Sequence, residues 1–234
     1  MGRENIKRQE KNMMKILDRI IIFLSVTVFS VALFSITYFA FLRSDPEVVY
    51  QEVEKLVLSD NYLFLGDSIT RAFDIDYHFE GLPVVNSGVD ANTTSDVLGD
   101  LRIRAFNYNP SKVFLLIGTN DVAKRMDNSE IIENIKKIID EFQEYRPHAE
   151  IYLISVLPVN ENFRNIRSGT NEQIIELNRL IELLGVQREL NFIDLFEHLT
   201  NELGELHEDY TDDGLHITKK GYETIARRLQ HYIV

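Results

Sequence analysis

One serine of this 234-residue chain stands where a nucleophile could work. The segment LFLGDSIT, residues 63–70, places Ser68 two positions after Gly66, which closes a short apolar run. If that run is a strand, Ser68 can project from the following turn, and its backbone N–H can face a developing oxyanion. The alternative is that Ser68 only caps the next helix, which is a common role for serine.

A carboxylate and an imidazole lie three residues apart near the end of the chain. In the segment DDGLH, Asp213 and His216 have the spacing that lets a carboxylate accept the imidazole Nδ1–H within a turn. The ring is then oriented with Nε2 outward and its charged form is stabilised, as a general base requires. Asp212 is a rival, but the three-residue spacing favours Asp213. Both could instead be surface groups near a helix start capped by Thr218.

Two further loops could supply hydrogen-bond donors to the same site. Gly88, in the segment NSGVD, could turn its backbone N–H towards the site with no side chain in the way. Asn120, in the segment GTND, could donate from its side-chain amide. Each has a plain alternative, because glycine is common in turns and asparagine is common in Asx turns.

These residues need a scaffold that brings distant parts of the chain to one edge. Short apolar runs predict strands, and amphipathic stretches predict helices. The strands are expected at 62–65, 83–86, 112–117, 150–156 and 191–194, and the helices near 93–105, 129–145, 170–184 and 218–232, with Gly185 as a helix stop. Strands separated by helices indicate a parallel sheet covered on both faces, whose functional loops follow the carboxyl ends of strands.

Together the four segments resemble the four blocks of the SGNH, or GDSL, hydrolase family. The blocks appear as GDSIT with Ser68, NSGVDANTT with Gly88, GTND with Asn120, and DGLHITKKGYETIA with Asp213 and His216. The resemblance covers about residues 60–234. The G-x-S-x-G elbow of α/β-hydrolases does not fit, because position 70 is Thr.

The resemblance implies both a fold and a reaction. The fold is a flavodoxin-like three-layer α/β/α sandwich with a five-stranded parallel sheet. The reaction is ester cleavage by Ser68, His216 and Asp213, with an oxyanion hole formed by Ser68, Gly88 and Asn120 and with no cofactor. One departure concerns Ala91, which stands where many members carry a second glycine, so the shape of this loop can differ.

The first 59 residues predict a membrane anchor. Residues 20–42 carry no charge, and as a helix they would span roughly 34 Å, enough for a hydrocarbon core of about 30 Å. Basic residues precede the segment, so we expect a cytoplasmic tail at 1–19, a single transmembrane helix at 20–42, a linker helix at 43–59 and an extracellular hydrolase domain at 60–234. A cleaved signal peptide is the alternative, but its apolar core would be shorter and would end in small residues.

Composition excludes several classes of function. Residues 1–43 hold 7 of the 25 basic residues but only 3 of the 37 acidic ones, so the rest of the chain is strongly acidic and nucleic acid is not an expected partner. The absence of cysteine excludes disulfides and thiolate ligands. No metal site is expected, because the remaining histidines match no metal-ligand spacing: His78, His148, His198, His207 and His231.

The expected function is that of a membrane-anchored esterase acting outside the cytoplasm. It would remove short, acetyl-type acyl groups from a carbohydrate or a lipid. Two alternatives remain open at this point. An acyltransferase would use the same acyl-enzyme and pass the group to a sugar, and a non-catalytic domain of the same fold would bind a glycan or a protein.

Overall fold

The structure is a computed structural model that describes residues 61–163 and 170–233. The predicted tail, transmembrane helix and linker helix lie outside the described residues. Among the residues that are described, no helix combines the length and the apolar character needed to cross a membrane.

The centre of the described domain is a five-stranded parallel sheet with strand order β2-β1-β3-β4-β5. Its strands are β1 (Asn61–Gly66), β2 (Val84–Gly88), β3 (Pro110–Leu116), β4 (Glu150–Ile154) and β5 (Asn191–Ile193). Flavodoxin-like folds have this strand order. The direction in which successive strands are added reverses between β1 and β3. In such sheets, ligands bind beyond the carboxyl ends of the strands at this switch point.

Both faces of the sheet are apolar, because successive side chains of a strand point to opposite sides. In β1, Leu63 and Leu65 join one buried cluster and Phe64 joins the other. In β3, Leu115 and Phe114 divide between the same two clusters. Helices therefore cover both faces, as the continuous apolar strands predicted.

The helices fall into two groups, according to the cluster that their apolar residues join. One cluster receives side chains of α3 (Thr94–Gly99), α4 (Leu101–Arg104), α6 (Asn128–Tyr145) and α7 (Asn171–Arg188). The other receives side chains of α1 (Ser68–Ala72), α2 (Ile75–His78) and α9 (Lys219–Ile233). The helix α8 (Phe196–Leu199) contributes Phe196 to the first cluster and Leu199 to the second. The short helix α5 (Thr119–Ala123) follows β3.

Several observed boundaries differ from the predicted ones, including those at Asp100, Ile154 and Gly185. The helix expected at 93–105 is broken at Asp100, after Gly99, a residue that disfavours helix interiors. β4 ends at Ile154, because the Val156 N–H donates to the Asn178 side chain instead of to a strand (2.7 Å). Gly185 does not stop its helix, which continues through Arg188.

Gly185 lies inside α7, where the helix passes β5. A Cβ placed there would lie 3.7 Å from the Phe192 Cβ and 3.5 Å from the Leu190 carbonyl oxygen, which are ordinary van der Waals contacts, so the position does not require glycine. The helix ends instead at Glu189, which adopts the left-handed conformation with φ 55°. The left-handed residue predicted for Gly185 is therefore found at Glu189.

Candidate active site

Ser68 stands at the carboxyl end of β1, as the first residue of α1. Asp67 caps that helix, because its Oδ1 accepts the Ile69 backbone N–H at 2.9 Å. The cap fixes a tight turn that projects the half-buried Ser68 hydroxyl out of the sheet edge. The Ser68 Oγ lies 3.3 Å from the Nε2 of His216, a residue 148 positions further along the chain.

The loop before α9 holds the imidazole of His216 in place. Asp213 Oδ2 lies 2.6 Å from His216 Nδ1, and Asp213 Oδ1 accepts the backbone N–H groups of Leu215 (2.9 Å) and His216 (2.7 Å). Partial burial raises the pKa of Asp213, but the hydrogen bonds from the His216 ring and from these two N–H groups outweigh it, and the pKa falls to about 2. A carboxylate therefore faces the ring across the neutral pH range.

Tyr222 ties the loop that carries His216 to the helix that carries Ser68. Its hydroxyl donates to the Ile69 carbonyl oxygen at 2.6 Å, and its ring stacks on Phe73 with the centroids 5.1 Å apart. Because Tyr222 lies on α9 directly after this loop, the contact fixes the start of the last helix against α1.

Asn120 reaches the same cavity from the third predicted loop. Its Nδ2 donates to the Asn92 carbonyl oxygen at 2.9 Å and lies 3.5 Å from Asp67 Oδ2. The first contact orients the amide, whereas the second is too long to hold an N–H strongly. One N–H of the Asn120 amide can therefore be directed into the cavity.

Gly88 is not among the residues that line the cavity. Its backbone N–H donates to Asn86 Oδ1 at 2.9 Å. A Cβ at Gly88 would lie 2.1 Å from the Arg71 backbone nitrogen, so glycine is required there by the close approach of β2 to α1. The structure thus gives Gly88 a packing role, and the Asn86 side chain occupies its N–H.

Ala91 lines the cavity in the loop where Gly88 was expected to act. It adopts a left-handed conformation with φ 59°, which is uncommon for a residue with a Cβ. Within the described part of the chain, no acceptor pairs with its backbone N–H. The sequence contained a feature that could have identified this residue. Ala91 stands where many members of the family that the chain resembles have a glycine.

The cavity that joins these groups has a volume of about 610 Å³. Small and apolar side chains form much of its wall, among them Ala72, Ala91 and Leu215. An exposed ion pair between Arg71 and Asp90 lies at its rim. The hydroxyl, the imidazole and the amide thus open into one space that is large enough for a small ester.

Two buried carboxylates lie next to the site, and neither is among the residues predicted to take part in the reaction. Asp67 is 1% exposed, and burial raises its pKa to about 6 even though it accepts the Ile69 N–H. Burial also raises the pKa of Asp121, which accepts hydrogen bonds from the Thr94 backbone N–H (3.0 Å) and hydroxyl (2.5 Å). Asp121 thereby fastens the second loop to the third.

A buried arginine holds the ends of the two strands nearest to Ser68. The Arg104 guanidinium donates to the Gly66 carbonyl oxygen at 2.8 Å, to the Ser87 carbonyl oxygen and to the Asn92 side chain. Gly66 and Ser87 belong to β1 and β2, and Asn92 belongs to the loop that orients Asn120. The Arg104 guanidinium therefore binds three segments of the chain around the cavity and fixes them relative to one another.

Metal ligands were also sought around the site. In residues 61–163 and 170–233, no three His, Asp or Glu side chains are grouped so that they could hold a metal ion.

Comparison with known proteins places these observations in a family context. Residues 64–224 match the model of the GDSL-like Lipase/Acylhydrolase family. A comparison of the sequence with curated proteins finds no match.

Several solved structures share the fold. A protein from Streptococcus pneumoniae, provisionally assigned as a platelet activating factor, is 29% identical, with a TM-score of 0.72 over 81% of this chain and 100% of that one. A GDSL-like lipase from Bacteroides thetaiotaomicron is 24% identical, with a TM-score of 0.67 over 74% and 87% of the two chains. A catalytic mutant of an acetylxylan esterase from Geobacillus stearothermophilus is 18% identical, with a TM-score of 0.62 over 74% and 94%.

The role of Arg104 can be tested by its replacement with methionine. Arg104→Met removes a charged donor from the buried Ser87 carbonyl group and from the Gly66 carbonyl group, which keeps only the Val89 N–H at 3.2 Å. Because a buried acceptor that loses its donor costs roughly 1–3 kcal/mol, we expect the free energy of unfolding, measured by urea denaturation, to fall by about 1–3 kcal/mol. Arg102→Met is the matched control, since Arg102 is exposed on the same helix. Equal losses in the two variants would contradict the role given to Arg104.

The raised pKa of Asp67 predicts how stability depends on pH. The folded pKa of about 6 exceeds the ordinary value of 3.8, so the unfolded chain releases this proton first and stability falls as the pH rises from 4 to 6. The loss is roughly 3 kcal/mol and is complete above the folded pKa. Asp213 does not disturb this window, because its lowered pKa contributes stability that is lost only as the pH falls below 4.

Asp67→Asn should remove the contribution of Asp67 and reduce the dependence of unfolding free energy on pH between 4 and 6, while Asp121, whose pKa is also raised by burial, keeps a remaining slope of the same sign. Denaturant titrations at half-unit pH steps measure the slope. Asp76→Asn, at an exposed position on α2, serves as the control and should keep the slope of the wild type. An Asp67→Asn slope equal to that of the wild type would show that Asp67 is not responsible.

Proposed function

The chain belongs to the GDSL-like lipase/acylhydrolase family and is a carboxylic ester hydrolase, and we propose that it cleaves short acyl esters through a serine acyl-enzyme. The substrate is an acylated carbohydrate or lipid outside the cytoplasm. One observation carries the proposal: Ser68 Oγ lies 3.3 Å from His216 Nε2, and His216 Nδ1 lies 2.6 Å from the Asp213 carboxylate. Hydroxyl, imidazole and carboxylate in this order form the arrangement that activates a serine.

In the first step, Ser68 attacks the ester carbonyl. His216 Nε2 takes the hydroxyl proton while the Ser68 Oγ–carbon bond forms, and the Asp213 carboxylate stabilises the resulting imidazolium. The tetrahedral intermediate then expels the alcohol oxygen. His216 returns the proton to that oxygen, so the alcohol leaves neutral and the acyl group remains on Ser68.

The oxyanion needs donors that point into the cavity. The Ser68 backbone N–H at the start of α1 and the Asn120 amide are two of them. Gly88 was expected to be the third, but its N–H is already bound to Asn86. We assign that position to the Ala91 N–H, which is supported by the place of Ala91 in the cavity wall and by its N–H being free of any acceptor in the described chain.

In the second step, water replaces the alcohol. His216 removes a proton from the water molecule as its oxygen attacks the acyl carbon. The bond between that carbon and Ser68 Oγ then breaks, and the proton passes from His216 to Ser68 Oγ. The acid is released and the serine is restored. A sugar hydroxyl in place of water would give acyl transfer by the same steps.

A short acyl group is supported by the packing beneath α1. Phe64 and Phe114 stack with their centroids 4.8 Å apart, and Phe114 stacks on Tyr152 at the same distance. The void between these rings and α1 is only about 20 Å³, room for roughly one water molecule. A long acyl chain cannot enter the core below Ser68, so the acyl group must fit in the open cavity.

The place of action is proposed from the sequence before the described residues. The uncharged segment 20–42 and the basic residues that precede it support a single-pass anchor with the N-terminus in the cytoplasm. The domain would then act at the outer surface of the membrane, where esters of surface glycans and of lipids are within reach.

The proposal predicts the effects of two replacements in the full chain, purified in detergent. Ser68→Ala should abolish hydrolysis of 4-nitrophenyl acetate and labelling by a fluorophosphonate probe. Asn120→Ala should lower kcat by roughly 10²–10³, because one oxyanion donor is lost. Asn107→Ala, at an exposed position on another surface, is the control. Ser68→Ala protein that still turns over the ester would refute the nucleophile.

The size of the acyl group predicts a trend across 4-nitrophenyl esters. Because the core beneath α1 is filled, kcat/KM should fall steadily from acetate to decanoate. A second measurement distinguishes hydrolysis from acyl transfer. It compares the ratio of free acid formed to alcohol released with and without added oligosaccharide. A value of kcat/KM that rises with chain length would contradict the short-acyl assignment.

A further inference from the structure

A second cavity of about 380 Å³ adjoins the first. Ala72 at the end of α1 lines both cavities, and Ile217, which follows His216, lines the second. The second cavity lies between the turn from α1 to α2 and the start of α9. A substrate longer than a simple ester can therefore extend from the first cavity into the second around Ala72.

Tyr77 offers an exposed aromatic ring in this second cavity. The ring is 64% exposed, although it belongs to a helix whose Asp74 side chain accepts the Tyr77 backbone N–H at 3.2 Å. The His78 ring lies edge-on to it, with the centroids 5.0 Å apart, and the Lys219 Nζ lies 5.5 Å from its centroid. The ring is thus held by its backbone and its neighbours while most of its surface remains open.

The polar groups around this ring have spare hydrogen-bonding capacity. Among the described residues, Lys219 has no anionic partner for its ammonium group, and only one carboxylate oxygen of Asp74 has a donor. The His78 ring nitrogens likewise have no partner in the described chain. Donors and acceptors therefore surround an exposed aromatic ring at the edge of the catalytic cavity.

This combination fits a sugar ring better than an acyl chain. A pyranose has one face of C–H groups that packs on an aromatic ring, and its hydroxyl groups exchange hydrogen bonds with charged side chains. An acyl chain would cover Lys219 and Asp74 without replacing their bonds to water, which costs free energy. The exposed aromatic ring and the polar groups around it therefore favour a carbohydrate over an acyl chain in the second cavity.

We propose that the second cavity is a subsite for a sugar unit of an acylated oligosaccharide, which stacks on Tyr77 while the ester lies at Ser68. The inference rests on the proposed function and narrows its substrate from carbohydrate or lipid to carbohydrate. A substrate of two or more linked sugars fills both cavities, whereas an acylated monosaccharide fills only the first.

The test compares substrates of different length on the full chain. O-acetylated tetrasaccharides of xylose and of N-acetylglucosamine are each paired with the matching O-acetylated monosaccharide. In the wild type, kcat/KM should be higher for the tetrasaccharide in one or both series. Tyr77→Ala should lower that tetrasaccharide-to-monosaccharide ratio about tenfold, mainly through a higher KM, as expected for a lost aromatic contact.

Two variants serve as controls. Tyr77→Phe keeps the ring and should keep the ratio. Tyr145→Ala removes an exposed tyrosine (51% exposed) that lines neither cavity, and it should leave the ratio unchanged. A ratio that Tyr77→Ala does not change, or a wild type without any preference for length in either series, would overturn the subsite.

Failure of the subsite can be told from failure of the proposed function. Hydrolysis of 4-nitrophenyl acetate by the wild type and its loss in Ser68→Ala report on the proposed function alone. If that hydrolysis is intact and Tyr77→Ala lowers kcat/KM for 4-nitrophenyl decanoate instead of for the tetrasaccharides, the second cavity accepts acyl chains and the sugar assignment is overturned. If the wild type hydrolyses none of these esters, the proposed function and the subsite that depends on it both fall.

Discussion

Backbone carbonyl groups at the carboxyl end of a parallel sheet must find donors once the strands separate, and this need organises the site. At the ends of β1 and β2 the buried guanidinium of Arg104 donates to the carbonyl groups of both strands, and the Val89 N–H adds a second donor at Gly66. The same group also holds Asn92, whose carbonyl oxygen orients the Asn120 amide. One side chain therefore binds the ends of two strands and also helps to orient a candidate oxyanion donor. For this reason, the stability of the sheet edge and the geometry of the cavity are linked.

Much of the fold could be predicted from the chain because apolar runs and helical periodicity are local signals. The five strands and the four longer amphipathic stretches were found near their true positions, and the family expected from the four motifs is confirmed. The short helices such as α1 and α5 were missed because four or five residues do not complete a periodic pattern. Gly185 was misassigned as a helix end because the helix continues through Arg188 and ends at Glu189, which adopts the left-handed conformation although it is not a glycine.

The site was less completely predictable, because the spacing of residues along the chain does not show where a side chain or an N–H group points or how deeply it is buried. The motifs nominated Ser68 and His216, which the structure brings within 3.3 Å. They could not show that the Gly88 N–H faces Asn86 while Ala91 lines the cavity. Nothing in the sequence indicated the role of Arg104, because its neighbours along the chain suggest only another basic residue on a helix surface.

The distance along the chain between Ser68 and His216 has a consequence for biosynthesis. A ribosome completes the segment that holds Ser68 long before it reaches position 216, and the tyrosine on α9 that binds the Ile69 carbonyl oxygen is made later still. A nascent or prematurely terminated polypeptide therefore has a serine without its imidazole. Under the proposed mechanism, such a polypeptide has no base for Ser68 and cannot begin ester cleavage until the last helix has been synthesised.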